Sequence, residues 1–129
     1  MTALDTNVLA RYILDDDPEQ EAAARAVIEG GPCVVPVTVL LELAWVLRRP
    51  AGGDAARIVR QLRAVLGLAS VHVEDPETVR AALDDAAAGM DLADAFHRAF
   101  AGPADRLVTF DRHFADVAAA RPGLSVDLI

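Results

Sequence analysis

The chain has 129 residues, 53% of them apolar, and carries a net charge of −8. Its length suits one sizeable core, so a single domain spanning residues 1–129 is expected, and the acidic total argues against coating nucleic acid by general counterion release. The lone Cys33 excludes an internal disulfide or cysteine-rich metal site, and neither a membrane-length apolar run nor a basic leader is evident, so a soluble, cytoplasmic protein is expected.

Ala3-Leu4 is a short apolar lead into Asp5-Thr6-Asn7, and Val8 to Leu14 then has helical spacing. Asp5 is thus expected where a strand hands over to a helix. Asp17 before Pro18, with Glu19 and Glu21 next, predicts an N-capped helix that ends at Gly30-Gly31. Cys33 to Pro36 predicts a strand with a buried cysteine, and Thr38 is expected to cap a helix through Leu47 whose only charge before Arg48 is Glu42. Asp54 to Leu66 is amphipathic, with Arg57, Arg60 and Arg63 opposite Ile58, Val59, Leu62, Val65 and Leu66. That basic face is expected to be solvated, with a phosphate backbone as the alternative partner.

Ser70 to Val73 predicts a strand, Pro76 opens a helix to Ala88, and Leu92 to about Ala101 predicts another. Leu107-Val108-Thr109 is a strand, Arg112 to Ala120 a helix and Ser125 to Leu128 a closing strand. Alternating strands and helices imply a three-layer α/β domain with a mainly parallel central sheet, because parallel strands need helical crossovers.

In such sheets the ligand site lies beyond the carboxyl ends of the strands. Asp5 and Asp111 each follow a strand, Glu42 sits one turn into a helix and Asp94 lies in the first turn of its own. All four stand in or beside apolar segments, where a buried unpaired carboxylate is costly. A divalent cation with oxygen ligands, Mg²⁺ or Mn²⁺, would resolve that cost. Each acid also has a plainer reading: Asp5 and Asp111 as helix caps, Glu42 and Asp94 as surface acids. Asp91 is read as an N-cap, with a peripheral ligand as the alternative.

Leu4-Asp5-Thr6-Asn7-Val8-Leu9, Val35 to Leu43 with Trp45-Val46-Leu47, Leu92-Ala93-Asp94-Ala95-Phe96-His97 and Val108-Thr109-Phe110-Asp111 together resemble the PIN-domain family, and more narrowly the VapC-type toxins of toxin–antitoxin pairs. The four blocks span nearly the whole chain in order. The last departs from an asparagine-containing version that many relatives have. The resemblance implies a PIN-like α/β/α fold and a Mg²⁺- or Mn²⁺-dependent endoribonuclease that hydrolyses RNA phosphodiesters by metal-activated water. It places the metal-binding and catalytic acids on Asp5, Glu42, Asp94 and Asp111. Thr6, Asn7 and Thr109 are expected to hold those carboxylates or their waters. A homodimer and a small antitoxin are the further partners it implies.

Arg98 and Arg112 are read as solvated charges, with a substrate phosphate as the alternative, and His72, His97 and His113 as partly buried structural residues. Trp45, Val46 and Leu47 are expected in the core, with a dimer or antitoxin surface as the alternative. A receiver or aspartate-nucleophile phosphatase would also put an aspartate after the first strand, but the chain has no lysine. No P-loop is present either. The remaining rival is a catalytically inactive PIN-like module that binds RNA or protein.

Overall fold

The computed structural model describes all 129 residues. They fall into two compact units, Met1–Pro76 and Glu77–Ile129. The first unit holds β1 (Thr2–Ala3), α1 (Thr6–Leu14), α2 (Pro18–Glu29), β2 (Cys33–Val35), α3 (Val37–Arg48), α4 (Ala55–Leu66) and β3 (Val71–Val73). Its sheet has the order β1-β2-β3. Both pairings are parallel, with Thr2 opposite Cys33 and Cys33 opposite Val71. The helical connections between these strands are what parallel pairing demands.

Local chemistry sets most of the boundaries. Asp17 accepts a hydrogen bond from the Gln20 amide at 3.1 Å, Pro18 opens α2, and Gly30 closes it. Asp54 accepts from the amides of Ala56 and Arg57 and so starts α4. Helix α3 differs from expectation, because Pro36 and not Thr38 stands at its N-cap. The Pro36 carbonyl accepts from Val39 and Leu40, at 3.0 and 3.2 Å, so Thr38 is already inside the first turn.

Helix α1 packs on α2 and α3, and α3 on α4. Leu9, Ile28, Val35, Leu40, Leu43, Leu47 and Leu62 are almost fully buried, along with Cys33. Leu40, Leu43 and Leu47 recur at helical spacing, and each such buried leucine contributes about 1.5–3 kcal/mol. On α4 the arginines are exposed and Ile58, Val59, Leu62 and Val65 buried, as the amphipathic pattern requires.

The second unit begins within α5 (Pro76–Ala87) and continues through α6 (Leu92–Ala99), β4 (Arg106–Thr109), α7 (Arg112–Ala119) and β5 (Ser125–Leu128). Strands β4 and β5 pair in parallel, Arg106 opposite Ser125. Helix α7 crosses between them and packs on both. Every strand pairing in the molecule is thus parallel, in two sheets of three and two strands.

A buried ionic network organises this unit. Asp85 accepts from Arg98 Nη1 at 2.9 Å and from Arg121 Nε at 2.9 Å. The Arg98 guanidinium also donates to the carbonyls of Leu124, at 2.7 Å, and Arg121, at 3.3 Å. Arg98, only 4% exposed, therefore ties α6 to α5 and to the segment before β5, and is neither solvated nor placed to meet a phosphate. No helix is long and apolar enough to cross a membrane.

Candidate active site

In the first unit, Asp5 follows β1 and stands at the N-cap of α1 with extended backbone, φ −85° and ψ 161°. Its side chain does not cap that helix. The carboxylate is exposed and has neither hydrogen bond nor ion pair, so the plain capping role is not the one it fills. Thr6, next along, is 2% exposed, whereas Asn7 faces solvent. Glu42 projects from the second turn of α3, exposed and without a partner.

In the second unit, Asp91 caps α6 by accepting from the amides of Ala93 and Asp94, at 3.0 and 3.3 Å through one oxygen. Asp94, half-buried in the first turn of that helix, makes no side-chain hydrogen bond. Its carboxyl pKa is raised above the ordinary value, first by burial and then by the charges of Asp91 and Asp111; His97 and His113 oppose the rise. Asp111 caps α7 through the Phe114 amide, 3.1 Å from one carboxylate oxygen. Its own amide donates to Thr109 Oγ1 at 3.0 Å, which fixes the turn between β4 and α7.

The structure therefore brings Asp91, Asp94, Asp111 and Thr109 into one neighbourhood, with His97 and His113 at its edge. Asp5, Glu42, Thr6 and Asn7 belong to the other unit. Within neither unit are three or more His, Cys, Asp or Glu side chains gathered closely enough to hold a metal ion. Burial was expected to make all four acids costly; it does so only for Asp94, since Asp5, Glu42 and Asp111 are exposed. As donors they nonetheless suit a hard cation. Asp5, Glu42 and Asp94 keep carboxylate oxygens uncommitted, and Asp111 commits only one.

Several other expectations are corrected. His72, His97 and His113 are all exposed. Trp45 is 70% exposed instead of lying in the core, although Leu47, two residues on, is fully buried. Asp15 closes α1 in a left-handed conformation, and Asp16 pairs with Arg11 at 2.9 Å. Between α1 and α2 lies an apolar cleft of about 300 Å³, lined by residues that include Asn7, Val8, Ala23 and Val27, without any of the acids. The buried Asp85–Arg98–Arg121 network was missed; its one sequence signal is an arginine on the apolar side of α6, between Ala95 and Ala99.

Parallel βα units with free or half-free carboxylates at their strand-to-helix turns mark the chain as α/β in class. The particular family is equally plain: the chain belongs to the PIN domain family, which matches residues 2–120. With the family comes its α/β fold class, to which the seven helices and the parallel pairings conform. PIN domains are generally nucleases, typically use divalent metal ions and bind RNA. No curated protein matches the chain.

Proposed function

We propose that this chain is a Mg²⁺- or Mn²⁺-dependent endoribonuclease in which Asp5, Glu42, Asp94 and Asp111 act as one set within a single domain spanning residues 1–129. The observation that carries the reading is Asp94: a half-buried carboxylate without a hydrogen-bond partner, disfavoured as an anion by burial and by two neighbouring aspartates. Such a group is stabilised by a cation. Asp5, Glu42 and Asp94 would hold the ion directly or through water, and Asp111 would complete the set with its uncapped oxygen. A bound divalent cation supplies positive charge against the scissile phosphate and lowers the pKa of water at the site. The carboxylates orient the attacking water, while Thr109 fixes the turn that aims Asp111. Thr6 and Asn7, next along the chain, would hold Asp5 or its waters.

The narrower reading, a VapC-type toxin acting in the cytoplasm as a homodimer and blocked by a small antitoxin, is supported by the resemblance of the four sequence blocks. A net charge of −8 suits a basic antitoxin segment. The second reading is an inactive RNA- or protein-binding PIN module. Cleavage of labelled single-stranded and structured RNAs, tRNAs included, decides between them. Cutting with Mg²⁺ or Mn²⁺ that EDTA stops and that Asp5→Asn and Asp94→Asn abolish supports the nuclease. A folded protein free of copurified partner that cuts none of them, with either metal, supports the inactive module.

A further inference from the structure

Trp45 is the only tryptophan of the chain, and it stands 70% exposed on α3, opposite the face that buries Leu40, Leu43 and Leu47. An indole left in water forfeits a large apolar burial, so an exposed one calls for an occupant. Its neighbours at helical spacing are Glu42, three residues before, and Arg48, three residues after, and both are exposed. Side chains three apart on a helix are adjacent, so Glu42, Trp45 and Arg48 share one strip of the α3 surface. The Arg48 guanidinium sits over the ring, 5.5 Å from its centre.

We infer that Trp45 and Arg48 form a subsite for one unpaired RNA base and its adjoining phosphate, beside Glu42. The inference rests on the nuclease reading above and names how its substrate is gripped. An indole with one face held by a guanidinium presents its other face to a planar partner, and base stacking on such a platform is tolerant of sequence. The charge pattern favours the same occupant. A chain of net charge −8 repels a polyanion in general, so it needs a local cation to hold one. From Ala44 to His72 there are five arginines against one acid, Asp54, and that acid is engaged in capping α4. Arg48 and Arg49 stand at the end of the helix that carries Trp45, where cations are also favoured. A dry apolar protein surface is the poorer fit, because it would have to cover Glu42 and Arg48 along with the ring.

Because Trp45 is the sole tryptophan, its emission reports on this subsite alone. Metal-free wild type in EDTA is titrated with a single-stranded RNA decamer and, separately, with a duplex of equal length. Saturable quenching by the single strand and little by the duplex is expected. Arg48→Gln should weaken the binding several-fold and lower its dependence on log salt by about 0.7. Trp45→Ala, checked for folding by circular dichroism, should raise KM by about tenfold and change kcat less than twofold. Unchanged emission with an RNA that the wild type cleaves overturns the subsite and leaves the nuclease intact. Quenching without any cleavage supports the subsite while the nuclease reading fails. A blue shift with rising protein concentration and no response to RNA overturns the subsite in favour of a second copy of the chain.

Discussion

Asp85→Ala is the substitution whose cost follows most directly from the geometry. Asp85 is 6% exposed and accepts from two arginines at 2.9 Å each. Its removal leaves Arg98, 4% exposed, with a buried positive charge whose remaining partners are two backbone carbonyls. Stranding one member of a buried pair costs about 3–5 kcal/mol. At about 3–5 °C per kcal/mol for a chain of this size, Tm should fall by about 10–20 °C. Arg98→Met should cost less, about 1–3 kcal/mol, because Asp85 keeps Arg121, whose side chain is 30% exposed and can follow the carboxylate toward water. The double variant Asp85→Leu with Arg98→Met should then be more stable than Asp85→Ala alone, since no buried charge is left unpaired. Urea unfolding followed by circular dichroism, at 0.1 and 1 M salt, measures all three, and salt should matter little for a pair so buried. Asp85→Ala within 1 kcal/mol of wild type, or a double variant no more stable than Asp85→Ala, would refute the reasoning.

Asp111→Ser keeps an oxygen to accept from the Phe114 amide and removes the carboxylate, so Tm should stay near wild type while RNA cleavage is lost; equal activity would remove Asp111 from the acidic set. Asp54→Ala deletes a cap that receives two amides and should cost about 1 kcal/mol, read as a lower urea midpoint with unchanged slope. Asp94 has a raised folded pKa, so its contribution to stability is present in full below the ordinary carboxylate value and is lost as pH rises through the raised one. Metal-free Asp94→Asn should therefore exceed wild type in stability at pH 7, with the gap closing toward pH 4; a gap that is constant with pH contradicts the environment described for Asp94. Gly123 has φ +112°, and an added Cβ would stand 3.4 Å from Arg98 Nη2. Gly123→Ala should accordingly lower Tm by several degrees in a thermal melt, more than Gly31→Ala, where no atom lies within 4 Å.

Elements held by local chemistry were legible in the sequence. Asp17-Pro18, Asp54, Gly30 and the arginine-studded face of α4 announce a cap, a stop or an amphipathic helix within a few residues, and the structure uses each as announced. The acids at the strand-to-helix turns were legible for the same reason, since a strand's end and a helix's start are both local patterns. Exposure was less legible. Helix α3 is apolar on almost every side, so its periodicity gives no warning that Trp45 faces outward while Leu43 and Leu47 face in. The three histidines and Asp5, Glu42 and Asp111 were misjudged in the same way, because an apolar neighbour in sequence does not imply an apolar neighbour in space.

The sequence by itself determined the α/β class, the parallel pairing and the positions of the acidic residues, because periodicity, capping and turn chemistry act over the span of a single βα unit. Only the tertiary structure decided which charges are buried and with whom. Asp85, Arg98 and Arg121 lie 13 and 36 residues apart along the chain, as counted from Asp85, and become partners only once α5, α6 and the segment before β5 pack together. Packing within each unit likewise half-buries Asp94 beside other acids in the one and leaves Trp45 in the open in the other. Desolvation and Coulomb energy depend on three-dimensional distance, and no local pattern carries that quantity.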